Sequence, residues 1–465
     1  MNRKKKSSFR PSRTGYPGIW LRDDSRQGED IRAATTVVQE PLSKRARRRI
    51  TRRLIPFLFI VYIICFLDRV NVTYANLEMT RDLNFTSETY GFGAGIFFIG
   101  YFVLEIPGTM LVERWSARGW IARIMISWGV LATCMGFIHT AGQFYAVRFL
   151  LGAAEAGFFP GIIVYLSHWF RDEDRAKAVA LFMAAVPIAN IVGSPISGLL
   201  LGVNWLGLAG WRWLFIVEGG PAIIFGVVTI FYLTDRPSQA AWLSEDEREW
   251  LVEELRIERQ RKSEARSLTV LESLRHRGVI VLAVAYFFII TSSLGLNLWL
   301  PTIVKSISGL TNFQVTLVSA LPYCFGLIAM IGLGWSSDRT KERRWHTVAP
   351  MLVAFVGLVL STLVSSNPFL AIAMFCVAAA GLFSYFPSFW ALPTGFLSGS
   401  AAAASIGLIN SVGNLGGFVG PFVVGFVKEA TKSFTGGVLY LAGSALVAAV
   451  LVLMLRKEDC VLTEG

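Results

Sequence analysis

Twelve apolar runs, each long enough to cross a bilayer as a helix, leave this chain few ways to fold. Hydrocarbon offers no partner to a backbone N–H or C=O, so such runs must satisfy those groups internally, and a helix does so within one segment. The expected spans are 54–78, 88–112, 121–140, 143–169, 176–202, 211–233, 279–303, 314–337, 346–366, 369–393, 400–428 and 434–455. Short charged or Gly- and Pro-containing connections separate them. Composition agrees, since 54% of the 465 residues are hydrophobic, 16% are charged and the mean hydropathy is +0.53, outside the range of soluble domains. The expected fold class is therefore an all-α membrane protein with twelve transmembrane helices.

A net charge of +12 would suit a nucleic-acid partner, but its distribution excludes that reading. Residues 1–53 hold sixteen Lys and Arg against five acids and no apolar core, which reads as a basic, disordered arm attracted to anionic lipid. Arg47, Arg48, Arg49, Arg52 and Arg53 abut the first span, and the positive-inside rule then places the N-terminus in the cytoplasm. The groups Arg114, Arg118 and Arg123, Arg171, Arg175 and Lys177, and Arg339, Lys341, Arg343 and Arg344 all fall on the same side of a twelve-span count. An even count returns the tail 456–465 to the cytoplasm, giving a multi-pass protein of the cell (inner) membrane with both ends inside. A monomer is expected.

The largest polar interruption, 234–278, divides six spans from six and forms a cytoplasmic loop between the halves 54–233 and 279–455. Ser244 followed by Glu247 is a capping box, so an amphipathic helix is expected from there to about Arg261. The halves repeat in order. Glu113-Arg114 with Trp120 matches Asp338-Arg339 with Trp345 at an offset of 225, Phe159-Pro160 matches Phe386-Pro387 at 227, and Pro195 matches Pro421 at 226. Two six-helix halves related by an axis along the membrane normal are one of the known plans of secondary transporters, with substrate held between the halves.

Gly334-Trp-Ser-Ser-Asp338-Arg339-Thr-Lys341-Glu-Arg343-Arg344, between spans eight and nine, resembles the Gly-x-x-x-Asp-Arg-x-x-basic loop of the major facilitator superfamily. The first-half copy is degraded, with Glu113-Arg114 one residue further from Gly108. In both, a carboxylate at a helix end and a nearby Arg form a candidate conformational latch: Glu113, Arg114, Asp338 and Arg339. Phe66-Leu-Asp68-Arg69-Val-Asn71, the run Arg148 to Pro160, Gly210-Trp-Arg212 through Glu218-Gly, Trp390-Ala-Leu-Pro-Thr-Gly and Asn410-Ser-Val-Gly-Asn414 narrow the resemblance to the anion:cation symporter family. It covers about residues 45–455 and looks closest to tartrate-type members. The resemblance implies transport of an organic anion such as tartrate or a sugar acid, coupled to protons, with the span-one aspartate and span-four glutamate carrying them.

The residues support a similar chemistry. Arg148 and Glu155 lie seven residues apart, so they project from nearly one face of span four, about 10 Å apart along its axis. A charge in mid-bilayer costs about 2.5–3.5 kcal/mol even on the lenient insertion scale and marks a pathway or a structural pair. The ionisable residues read as deep in the membrane, Asp68, Arg69, Glu105, Arg148 and Glu155, all belong to the first half. The second half offers neutral groups, including Asn297, Ser384, Tyr385, Asn410, Ser411 and Asn414. Arg69 and Arg148 are accordingly the candidate anchors for a carboxylate, which Arg grips through two parallel N–H bonds. Asn297, Asn410 and Asn414 are candidate hydroxyl readers, and Asp68 and Glu155 the candidate proton carriers. Glu105 is expected near the membrane interface, paired with a loop Arg, while Asn190 in span five serves from an unusual position or not at all.

Other chemistries find little purchase. No Gly-x-x-x-x-Gly-Lys-Ser/Thr loop occurs, so the expected energy source is the proton motive force and no cofactor or metal is implied. Pro160, Pro187, Pro195, Pro387 and Pro421 should kink their helices. Beside proton-coupled uptake stand two alternatives: an uncoupled facilitator or drug exporter, and, more remotely, a membrane receptor or enzyme.

Overall fold

In chain order the helices are α1 Leu42–Asp82, α2 Ser87–Arg114, α3 Ala117–Met135, α4 Ala141–Glu155, α5 Phe158–Ser167, α6 Asp172–Met183, α7 Ala185–Leu201 and α8 Gly210–Tyr232, then α9 Glu245–Glu264. They continue as α10 Arg277–Ser308, α11 Asn312–Thr340, α12 Trp345–Leu363, α13 Pro368–Ser384, α14 Phe386–Ala391, α15 Gly399–Thr431 and α16 Thr435–Leu453. These come from a computed structural model that describes residues 41–114, 116–264, 274–393 and 399–455. Most of the basic arm and the tail 456–465 therefore lie outside the described residues.

All twelve expected spans are helical. Ten helical stretches of the described residues are long and apolar enough to cross a membrane, and α2 and α3, of 28 and 19 residues, supply the second and third. Their outward surface is apolar. Phe231, Leu363 and Phe369 are 82%, 72% and 87% exposed, which suits lipid and would be costly in water.

Three expected spans are not single helices. Span four breaks between α4 and α5 at Ala156-Gly157, where Gly157 has φ +82°. Span five is interrupted at Ala184 and span ten at Tyr385, but both residues keep right-handed helical dihedrals, so these two are kinks. Each interruption is followed within three residues by a proline, Pro160, Pro187 or Pro387, whose missing N–H is harmless in a first helical turn and disruptive further in. Pro195 and Pro421 instead lie inside α7 and α15.

The sequence repeat is also a repeat of caps and partners. Thr86 accepts from Thr89 N at 3.0 Å ahead of α2, and Thr311, 225 residues on, accepts from Gln314 N at 3.3 Å ahead of α11. Thr140 caps α4 as Asn367 caps α13, at an offset of 227. Within the first half α3 packs on α8, α2 on α4 and α1 on α7; in the second, α12 packs on α16, α11 on α13 and α10 on α15. Across the halves, α2 lies along α15 and α7 along α11, a reciprocal pair.

We call the side where α1 begins and α2 ends the basic face, because the arginines from Arg47 to Arg53 and from Arg339 to Arg344 lie there. Hydrogen bonds close the halves together at the opposite, far face. Tyr90 OH donates to the Leu298 carbonyl at 2.9 Å, Asn76 to Thr302 at 2.8 Å, Asn312 to Glu78 at 2.8 Å and the Ser87 N–H to Glu429 at 3.1 Å. Ser194 donates to the Thr316 carbonyl.

Helix α9 docks on the basic face of the first half. Glu247, whose side chain is wholly buried, accepts from Ser244 N at 3.2 Å, Arg45 Nε at 2.9 Å and Arg49 Nη1 at 2.7 Å. Arg171 donates to Glu254 at 3.0 Å, and Leu251 and Leu255 turn inward.

Candidate functional site

A cavity lies between the halves on the basic-face side of the far-face seal, about 970 Å³ including the space that opens to solvent. The three interrupted spans shape its wall: Phe159, Met183, Val186, Pro187, Tyr385, Phe386 and Trp390 all flank an interruption and all line it. Among the described residues, Arg69 of α1 is the one charged side chain in the lining. Asn297 of α10 and Asn410 and Asn414 of α15 face it from the second half. Nine aromatic rings, among them Tyr62, Tyr101, Tyr286 and Trp390, complete an apolar wall with scattered hydroxyls.

Arg69 forms an ion pair with Glu155, the last residue of α4. Its guanidinium also stands over the rings of Phe66, Phe97 and Tyr101 at 5.3, 5.5 and 5.5 Å, and its Nε has no hydrogen-bond acceptor. Cys65 Sγ donates to Glu155 at 3.2 Å, so two residues one turn apart on the same face of α1 meet the same carboxylate oxygen.

Arg148 is placed differently. It is wholly buried, donates to the carbonyls of Gly93 at 3.4 Å and Ala94 at 3.2 Å, and lies over Phe97 at 4.8 Å. It is absent from the cavity lining, and Glu155 pairs with Arg69 instead of with its neighbour on α4. Asp68, one residue before Arg69, points away from the cavity and accepts from Trp128 Nε1 and from Asn71 Nδ2 at 3.0 Å. Adjacent helix residues project about 100° apart, which lets Arg69 face the cavity while Asp68 faces the interior of the first half.

Glu105 of α2 faces the second half. It is 5% exposed and accepts from Asn410 Nδ2 and from Ser411 Oγ at 2.9 Å, bridging α2 to α15. Asn190 is wholly buried and accepts from Asn297 at 3.3 Å, a second bridge between the halves at cavity level. The set of buried ionisable residues is also larger than expected. Glu218 and Arg212 of α8 are 6% and 8% exposed; Arg212 donates to the carbonyls of Gly136 at 2.9 Å and Ile138 at 3.1 Å. The missed Trp128 had a signal, since an indole N–H in an apolar span needs an acceptor.

At the basic face, Asp338 pairs with Arg343 at 2.7 Å, within its own loop, and Arg339 lies over the Trp335 ring at 5.4 Å. Glu113 and Arg114 end α2, and their side chains lie outside the described residues.

Comparison with known proteins agrees with this architecture. A protein of Agrobacterium vitis assigned by name to tartrate transport is 48% identical over 417 residues, 90% of this chain and 96% of its own. A quinolone resistance transporter of Acinetobacter baumannii is 40% identical over 396 residues, 85% and 91% of the two chains. Among solved structures, a bacterial homolog of the human lysosomal transporter Spinster, in an inward-facing and occupied conformation, superposes with a TM-score of 0.68 at 16% identity, covering 86% of this chain and 94% of that one. The sequence profile of the Major Facilitator Superfamily matches residues 58–421, so this twelve-span chain with a cavity between two repeated halves belongs to that superfamily of membrane transporters.

Proposed function

We propose that the chain is a proton-coupled symporter that takes up an organic carboxylate by alternating access. The observation that carries this reading is Arg69, the lone charged residue of the cavity wall among the described residues, engaged by the buried carboxylate of Glu155. A substrate carboxylate entering the cavity competes with Glu155 for the same guanidinium. A proton on Glu155 removes the competitor, so anion and proton bind together and Arg69 can offer its planar fork to the substrate. When both leave, the ion pair re-forms. Arg148 acts from behind the wall, where its fixed charge offsets Asp68 and Glu155, and Asp68 holds a second proton position near it. Asn297, Asn410 and Asn414 read hydroxyls or a second carboxylate on the far end of the substrate.

In this reading the basic face is cytoplasmic, with both termini, and the membrane is the cell membrane. The far-face seal then closes the outside, and its opening needs the latch loops, including Asp338 and Arg339, to close the basic face. One chain encloses the whole cavity between its halves, so a monomer suffices. The test is uptake into proteoliposomes of tartrate, sugar acids, phthalate and other aromatic acids, with and without an inward proton gradient. Uptake that ignores both the gradient and a protonophore would sink the coupling.

The aromatic lining, with the resemblance to a quinolone resistance transporter, favours a second reading, export of an aromatic drug. Transport of a neutral or cationic compound, unaffected by Arg69→Ala, would select it.

A further inference from the structure

Asp68, Glu155 and Glu218 are buried near one another in the first half, with the buried Arg148 and the partly exposed Arg69 beside them. Glu155 has Arg69, and Asp68 has two N–H donors. Glu218 is left with the hydroxyl of Ser197, which donates to its Oε1 at 3.1 Å, while its Oε2 is buried with no hydrogen-bond partner. Among the described residues it forms no ion pair. The groups that face it are Asp68, Asn71 and Tyr74 from α1 and Ser197 from α7. Helix α7 carries no charged residue, the charges of α3 are Arg118 and Arg123 at its basic end, and Arg212 on α8 itself is engaged by Gly136 and Ile138. A carboxylate so placed would be an uncompensated buried charge, whereas a protonated carboxyl is a neutral group with one satisfied oxygen.

Position adds a direction. Glu218 lies eight residues from the far-face end of α8, about 12 Å, and Asp68 lies fourteen from the far-face end of α1, about 21 Å. Glu218 is thus the nearer of the two to the far face. The Asn71 side chain donates to Asp68 at 3.0 Å and lies close to Glu218, so its NH2 can donate to whichever of them carries the charge.

We propose that Glu218 is a proton-binding site on the far-face side of Asp68, and that a proton passes between the two carboxyl groups as the transporter cycles. In that step the O–H bond on Glu218 breaks and one on Asp68 forms, so Glu218 becomes the carboxylate, Asp68 the acid, and the charge of the pair is unchanged. This rests on the proton-coupled reading above and adds to it the entry point of the proton.

Infrared difference spectroscopy of the purified, reconstituted full chain reads the first claim without any substrate. Glu218→Gln should remove one protonated-carboxyl C=O band, and Asn71→Leu should shift that band; a wild-type spectrum unchanged by Glu218→Gln means that Glu218 is ionised and overturns the proposal. The second claim is read in proteoliposomes with tartrate as probe. Glu218→Gln should lower the stimulation by an inward proton gradient at least about tenfold while measurable counterflow remains, within the range that one positioned acid–base group contributes. If Glu218→Gln does not fold, Asn71→Leu and Ser197→Ala give the same readout, with gradient stimulation falling in both. Wild-type uptake indifferent to the gradient would defeat the coupled reading but leave the band assignment standing. Coupled wild-type uptake with equally coupled Glu218→Gln and Asn71→Leu would defeat the proton exchange alone.

Discussion

Arg69 of α1 and Glu155 of α4 form an ion pair at the cavity wall, joining residues 86 apart in sequence. Arg148, only seven residues from Glu155 on the same helix, reaches instead for the backbone of α2. In the proposed function this pair is a switch whose two settings differ in what occupies the guanidinium.

Arg69→Ala should weaken carboxylate binding by at least about tenfold, since hydrogen bonds to a charged group contribute about 1.5–3 kcal/mol. Lys at this position should restore little, because it lacks the planar fork. Glu155→Gln should lose gradient-driven accumulation and keep exchange. Thermal-shift titration and paired uptake and counterflow assays check these; full accumulation by Glu155→Gln would contradict the assignment.

Glu105→Ala removes the acceptor of both Asn410 and Ser411 and so loosens α2 from α15. The bridge is worth about 1–3 kcal/mol by the cost of unsatisfied buried donors. A cysteine placed at Ser293, in the cavity lining, should then react faster with a water-soluble thiol reagent than in the parent. Equal rates would mean that the bridge does not restrain the halves.

Gly152 allows α4 to lie against α2. A Cβ there would collide with the Phe97 carbonyl, which is backbone and cannot swing aside. Gly152→Ala should destabilise the fold by about 1–3 kcal/mol through overpacking, visible as a lower melting temperature and less monodisperse protein. Gly142→Ala, where nothing lies within 4 Å, should leave both unchanged.

Docking of α9 should depend on pH. Burial works against the Glu247 carboxylate, but the Ser244 N–H, with Arg45 and Arg49 beside it, holds it below the ordinary carboxylate range. Its docked value lies below its undocked one, so its contribution is complete above the ordinary range and is lost as pH falls through the docked value. Protease cleavage within α9 should therefore accelerate in acid, and Glu247→Gln should cleave fast at neutral pH with little further acceleration. A cleavage rate flat with pH in the parent chain would contradict this.

Hydropathy and the 225-residue offset were enough to foresee the spans, because the bilayer imposes their length and the repeat imposes their pairing. The interruptions at Ala184 and Tyr385 are kinks of the kind that Pro187 and Pro387 lead one to expect, whereas the full break in span four goes further. Pro160, Pro187 and Pro387 were visible, but proline alone does not tell a kink from a restart; Gly157 at φ +82° decides it in span four. The cavity residues Arg69, Asn297, Asn410 and Asn414 were legible from their chemistry in apolar surroundings. Partner choice was not, since periodicity orients a residue on its own helix and leaves the neighbour undetermined. That is why Glu155 meets Arg69, Glu105 meets Asn410 and Asp68 meets Trp128. The motif from Gly210 to Gly219 gives Glu218 a place in the sequence but not the Ser197 hydroxyl that meets it.

The salt links of α9 run to Arg45, Arg49 and Arg171, so the connecting helix is fastened to the first half. The fastened stretch of the connection therefore reaches at least to Leu255, about twenty residues beyond the last apolar residue of span six. Expressed as two separate polypeptides, 1–264 and 265–465 should reassemble in one membrane, because each fragment keeps its own contacts. A cut at 234 would strip the first fragment of the strap that holds the base of α1.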